Sequence, residues 1–191
     1  MHEFLSTYQQ YSSSKKRREE LNSLMKSYSE KGFNCNKCIG NCCTFTSNTM
    51  MISPLEAFDI IVFLSKNDDF KTDALKSKLE KNIREFRLDY NSSIRKTYTC
   101  PFYTGKNKGC SISEHSKPYG CLAFVPNEVG VTKGSSCSSK QAILKNRHGA
   151  FNDEESHLNL ILTKELNLLW DKLPISLAVI ELIKKGEHLL S

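Results

Sequence analysis

Four of the chain's eight cysteines stand within the stretch 35–43, and this clustering constrains the fold more than any other feature of the sequence. The stretch reads C-x2-C-x3-C-C, and its thiols belong to Cys35, Cys38, Cys42 and Cys43. A C-x2-C pair can hold one ion, because the tight turn between the cysteines points both side chains inward. Gly40 lies within the stretch, where it permits close backbone approach or a positive φ.

The remaining cysteines follow in a region that glycines and prolines interrupt: Cys100, Cys110, Cys121 and Cys137. Residues 97–137 show no long helical periodicity, and compact domains rarely contain so long an irregular segment without a further constraint. Metal ligation would supply that constraint, since an ion shared between Cys35 and Cys121 closes a very long loop. We therefore predict that all eight cysteines are metal ligands.

A disulfide framework is the competing interpretation of eight cysteines. With 191 residues the chain can bury a core without covalent crosslinks. Residues 1–14 lack the apolar segment of a secretory signal, and no stretch of about 18 apolar residues is present. We therefore expect a cytoplasmic protein without a membrane segment, in which the cysteines stay reduced and bind metal.

The identity of the metal and the number of centres stay open at this point. All-sulfur ligation suits zinc and iron–sulfur clusters alike, and we favour an iron–sulfur centre over zinc. Eight thiols can form two four-thiolate zinc sites, one cluster with spare thiols, or one polynuclear site. Cys43 directly follows Cys42, so we expect the two side chains to point apart. Cys43 would then serve a second centre or pack as a small buried residue.

The positive charge of the chain does not indicate nucleic-acid binding. The formal net charge is +6, but eight thiolates around two divalent ions would lower it to about +2. The only tight basic cluster, 15–18, is typical of the solvated start of a helix. We therefore expect no nucleic-acid partner and no membrane partner, and we leave a protein partner or protein substrate open.

The motifs taken together resemble the YkgJ-type cysteine-cluster family. The resemblance covers roughly 33–140 and rests on C-x2-C-x3-C-C, then Cys100-Pro101-Phe102, Cys110-x-Ile112, Pro118-x2-Cys121 and the helix start at 52–56. It implies a cysteine-rich domain that chelates zinc or iron. Flagellin lysine N-methylases have a similar domain, so if the chain is an enzyme, the resemblance implies protein lysine N-methylation. Ser113, Lys117 and Leu122 stand where the family tends to have Tyr, Arg and Arg, and no role of those residues carries over.

Hydrophobic periodicity predicts a mainly α fold, in which amphipathic helices and a few short strands surround a loop-rich, cysteine-ligated metal centre. The predicted helices cover 14–32, 54–65, 72–91, 154–172 and 175–185. Helical spacing places Tyr90 on the apolar face of the third helix and Leu169 on that of the fourth. Ser53, Pro54 and Glu56 form a predicted capping box. Residues 122–125 are predicted to be extended, and Tyr103 and Tyr119 to pack as aromatic side chains.

We predict three regions: an N-terminal helical extension (1–32), a cysteine-cluster metal-binding region (33–150) and a C-terminal helical hairpin packed on the same domain (151–191). The segment Ile175–Ile183 is apolar almost all round, and we expect it to be buried in the core. An alternative is a structural zinc module that presents this segment to a partner protein.

Overall fold

The computed structural model describes a large part of the chain, namely residues 15–32, 40–66, 72–90, 95–105, 109–112, 116–122, 124–126, 137–139 and 152–188. Within these residues the fold is mainly α with a few short strands, which confirms the predicted class. No described helix combines the length and the apolar character that crossing a membrane requires.

The described helices, in chain order, are α1 (Lys15–Glu30), α2 (Pro54–Ser65), α3 (Thr72–Phe86), α4 (Tyr119–Leu122), α5 (Asn152–Glu165) and α6 (Ile175–His188). A 3-10 turn covers Asn41–Cys43. The strands are β1 (Met51–Ile52), β2 (Phe124–Pro126), β3 (Cys137–Ser139) and β4 (Leu173–Pro174).

The chain forms two compact units. The helical unit contains the described residues of 50–96 and 153–188, and the cysteine unit contains those of 15–49 and 97–152. Each unit is thus built from separate stretches of sequence. The three regions inferred from the sequence stay a prediction.

Helix α2 begins at the capping box that the sequence predicts. The Glu56 backbone N–H donates to Ser53 Oγ at 3.4 Å, and the Ser53 N–H donates to Glu56 Oε2 at 2.9 Å. Pro54 occupies the first turn, where its missing N–H costs no hydrogen bond and its fixed φ suits a helix. Local sequence therefore sets the start of this helix.

Helix α6 is the centre of the helical unit. Strand β1 pairs antiparallel with β4, and each strand leads directly into a helix, α2 and α6 respectively. Helix α6 packs against both α2 and α3. Its buried apolar side chains are Ile175, Ala178, Val179, Ile180, Leu182 and Ile183. The predicted burial of this helix is confirmed, and it accounts for the apolar sequence without a partner protein.

Helix α3 ends earlier than the predicted limit near Asn91. Arg87 has φ of 49°, and the Leu88 N–H donates to the Ile83 carbonyl at 3.1 Å. This is a Schellman ending, in which a left-handed residue turns the chain away from the helix axis. It buries Leu88, whereas Tyr90, predicted on the apolar face, is 75% exposed.

Helix α5 ends in the same way, well before the predicted limit at Lys172. Asn167 has φ of 47°, and the Leu168 N–H donates to the Thr163 carbonyl at 2.9 Å. Leu168 is buried, but Leu169, which the periodicity placed on the apolar side, is 94% exposed. Burial of the residue after the left-handed turn therefore sets the end of both helices.

Candidate metal centre

A tight turn at Gly40 begins the part of the cysteine stretch that the structure describes, residues 40–43. Gly40 has φ of 75°, and the Cys43 N–H donates to its carbonyl at 2.7 Å. The Tyr103 ring packs directly on this glycine, and a Cβ at Gly40 would lie 2.5 Å from Tyr103 Cε2. Only glycine satisfies both the backbone angle and the contact. The predicted positive φ and close approach are confirmed.

The thiols of Cys42 and Cys43 lie together on this turn, with 4.0 Å between their sulfur atoms. The expectation that the two side chains point apart is therefore wrong. Consecutive Cα atoms are only about 3.8 Å apart, so rotation about each Cα–Cβ bond is enough to bring two short side chains together. Both cysteines are half-buried.

A backbone hydrogen bond places Cys100 beside this pair. The Cys100 N–H donates to the Cys43 carbonyl at 2.7 Å. Further along, the Tyr98 N–H donates to the Asn48 carbonyl at 3.0 Å. Both Tyr98 and Cys100 are buried. Two backbone hydrogen bonds thus hold the start of the irregular region against residues 43–48.

Cys110 joins the same backbone network. Tyr103 and Cys110 form an antiparallel bridge, and the Ser111 N–H donates to the Phe102 carbonyl at 2.9 Å. The Tyr103 N–H in turn donates to the Cys100 carbonyl at 3.1 Å. A small hairpin therefore connects the segment of Cys100 to the segment of Cys110.

Cys121 lies on the short helix α4. The Cys121 N–H donates to the Pro118 carbonyl at 2.9 Å. Helix α4 packs on α1 through a buried cluster of Leu21, Tyr119 and Leu122. Leu122, which the sequence placed in a strand, is helical instead. Burial of Leu122 against α1 accounts for this difference, because an apolar run of this length can be helix or strand.

The register of the second strand pair places Cys137. In the antiparallel pairing of β2 with β3, Cys137 stands opposite Pro126. The strand candidate after α4 is thus confirmed over Phe124–Pro126. Cys35 and Cys38 lie outside the described residues. The predicted roles of all eight cysteines as ligands stay predictions.

Five of the described cysteines do not take part in disulfides: Cys42, Cys43, Cys100, Cys110 and Cys121. Backbone contacts bring the segments of the first four together, and two of the four sulfurs lie side by side. Within the part of the chain that the structure describes, no three or more His, Cys, Asp or Glu side chains are grouped so as to hold an ion.

Electrostatics favour the thiolate form of Cys43. The hydrogen bond from Cys42 lowers the pKa of Cys43 to about 7, against the opposing effect of burial and with help from the Lys117 ammonium. Metal ions bind the thiolate rather than the thiol. Lys117 entered the sequence interpretation only as a departure from the family pattern. The Lys117 ammonium lowers the pKa of Cys43 through space, so the spacing of residues along the sequence does not indicate this effect.

The chain matches no protein-family model, no curated protein and no solved structure. A functional assignment therefore depends on the residues and contacts of the chain itself. The resemblance to the YkgJ-type family enters as a proposal.

Proposed function

We propose that this chain is a metal-binding protein that holds an iron–sulfur centre or zinc through cysteine thiolates. The observation that carries this proposal is the 4.0 Å separation of the Cys42 and Cys43 sulfurs. Two thiolates on one tetrahedral zinc ion lie about 3.8 Å apart, because each Zn–S bond is about 2.3 Å long. The pair needs little rearrangement to share one ion.

The backbone around the pair supports the same proposal. Metal ligands must be held in place by the groups around them. The hydrogen bond from Cys100 to Cys43 connects the turn of the pair to the irregular region, and the bridge between Tyr103 and Cys110 connects the segment of Cys100 to that of Cys110. In the proposed centre the other six cysteines supply the further thiols, either to the same ion or to a second one: Cys35, Cys38, Cys100, Cys110, Cys121 and Cys137.

Iron–sulfur ligation and zinc ligation differ in what the bound group would supply. A cluster supplies electron transfer or redox sensing, whereas zinc supplies structural stability without redox chemistry. We favour the iron–sulfur centre, with zinc as the alternative. A cytoplasmic location belongs to the same proposal, because that compartment keeps thiols reduced.

The resemblance to the YkgJ-type family supports metal chelation by the same cysteines. Protein lysine N-methylation and a zinc module for protein–protein contact are the two other functions that the sequence raised. No feature of the described residues favours either one. The apolar residues of α6, which the second would offer to a partner, are buried in the helical unit.

Anaerobic purification followed by metal analysis and visible absorption tests the proposal. A brown protein with iron and labile sulfide supports a cluster, and a colourless protein with stoichiometric zinc supports the alternative. Protein that contains neither metal contradicts the proposal. Cys43→Ser should lower the metal content, and Ser47→Ala, at an exposed position of the same loop, serves as the matched control.

A further inference from the structure

The turn at the end of α3 is bound by a lysine ammonium from further along the chain. Lys96 Nζ donates to the carbonyl oxygens of Arg87 and of Tyr90. It also lies 5.3 Å from the centroid of the Tyr90 ring, a distance at which the face of an aromatic ring attracts a cation. One ammonium thus contacts two carbonyls and one ring of the turn 87–90.

A positive charge stabilises this turn for two reasons. The last carbonyls of a helix have no partner within the helix, and they give its C-terminus a partial negative charge. Arg87, moreover, has φ of 49°, a left-handed angle that glycine adopts freely and that costs other residues free energy. The hydrogen bonds from Lys96 offset part of that cost, because the closed turn brings both accepting carbonyls to one ammonium.

The end of α5 repeats this arrangement. Asn167 has φ of 47°, and Lys185 Nζ donates to its carbonyl at 3.2 Å. Arg87 and Asn167 are the two non-glycine residues with positive φ in the part of the chain that the structure describes, and a lysine ammonium binds the carbonyl of each. Lys185 belongs to α6, whereas Lys96 belongs to no described helix or strand. Lys96 can therefore leave its turn without disturbing a helix.

We propose that Lys96 is a charge-dependent clamp on the turn 87–90. Lys96 is the last residue of the stretch 50–96 of the helical unit, so the clamp fixes the point at which the chain leaves this unit. Loss of the ammonium charge opens the turn, while α3 itself stays folded through its buried residues Leu79 and Ile83. The clamp uses none of the cysteines, so it does not depend on the proposed metal centre.

Hydrogen–deuterium exchange of the full-length protein, followed at single amides by NMR, tests the clamp, because it measures local opening. The N–H groups of Leu88 and Tyr90 report on the turn, since they donate to the Ile83 and Arg87 carbonyls. In Lys96→Gln both should exchange about 5-fold faster than in the parent, as expected when a partly exposed hydrogen bond from a charged donor is lost. Lys96→Arg keeps the charge and should exchange close to the parent rate. Unchanged exchange in Lys96→Gln would overturn the proposal.

Two further variants exclude other causes of faster exchange. Arg95→Gln removes the same charge from an exposed neighbouring position and should leave the turn amides at the parent rate. Equal acceleration in Arg95→Gln and Lys96→Gln would overturn the clamp in favour of a general charge effect.

Arg87→Gly removes the cost of the left-handed angle, so in this background Lys96→Gln should accelerate exchange less than it does in the parent. An equal or larger acceleration would refute the link between the clamp and the left-handed turn. Metal analysis of the same proteins separates the two proposals: a parent without bound metal refutes only the metal centre, and unchanged exchange in Lys96→Gln refutes only the clamp.

Discussion

Different interactions stabilise the interior of the helical unit and the interior of the cysteine unit. In the helical unit, α6 buries its apolar residues against α2 and α3, and local caps set the helix ends. In the cysteine unit, short segments are joined by backbone hydrogen bonds around half-buried thiols. Apolar burial stabilises the first unit, whereas in the proposed metal centre a bound ion would stabilise the irregular part of the second.

The largest expected effect is the loss of a core side chain from the helical unit. Phe58 on α2 is fully buried, so Phe58→Ala should lower the free energy of unfolding by about 3–5 kcal/mol. Denaturant unfolding measures this change. Metal content should stay at the parent level, because the thiols of the described cysteines belong to the other unit.

Phe45 provides the control, since it is 62% exposed and Phe45→Ala should change stability by less than about 0.5 kcal/mol. A loss of bound metal in Phe58→Ala that folds normally would show that the two units are not independent.

Gly40→Ala should produce the next largest effect, and it tests the cysteine unit. A new Cβ would meet the Tyr103 ring at 2.5 Å, on a backbone with φ of 75°. The left-handed angle alone costs about 1–2 kcal/mol, and the contact adds to it. We expect a clear drop in thermal stability and in metal content.

Gly109→Ala separates the cost of the left-handed backbone angle from the cost of the contact with Tyr103. Gly109 has φ of 68°, and no described atom lies within 4 Å of the position that a Cβ would take there, so this variant carries the backbone cost alone. If it is as damaging as Gly40→Ala, the contact with Tyr103 has no role.

Ser53→Ala should have a smaller effect, confined to the helical unit. The substitution removes the oxygen that accepts from the Glu56 N–H, and loss of an N-cap costs about 1 kcal/mol. Urea denaturation measures the change. Ser53→Asp keeps a capping oxygen and should restore most of the lost stability, whereas equal destabilisation by both variants would count against the cap.

The smallest expected effect is a pH dependence at the end of α6. The Glu187 carboxylate, at 2.8 Å from Lys76 Nζ, raises the pKa of Lys76. A raised pKa means that the ion pair stabilises the fold fully below the unfolded value of about 10.4 and is lost as pH rises through the folded value.

Glu187→Gln removes this dependence. The difference in urea midpoint between the parent and the variant should therefore be small at neutral pH, shrink above about pH 10.4 and also shrink in high salt. A difference that grows with pH would contradict the assignment.

Local signals made the helical unit largely predictable. The capping box at Ser53 and the apolar run from Ile175 depend on neighbouring residues, and both were confirmed. The ends of α3 and α5 were not predictable, because Arg87 and Asn167 take the left-handed turn that usually indicates glycine. Burial of the leucine after each turn decides the end, and only the packed fold shows it.

The candidate site was predictable in composition but not in geometry. The spacing of the cysteines indicates that thiols gather, and the role of Gly40 follows from its position between them. The 4.0 Å contact of Cys42 with Cys43 depends on side-chain rotation. The bond from Cys100 to Cys43 joins residues far apart in sequence, and no local pattern specifies it.

X-ray absorption spectroscopy at the absorption edge of the bound metal tests most directly the central claim, which is that cysteine thiolates alone ligate the metal. Cysteine-only ligation predicts a first shell made of sulfur alone, at about 2.3 Å from zinc, or the sulfur and iron shells of a cluster. Cys43→Ser should lower the sulfur occupancy or release the metal, while Ser47→Ala should leave the spectrum unchanged. A first shell dominated by nitrogen or oxygen would contradict the account.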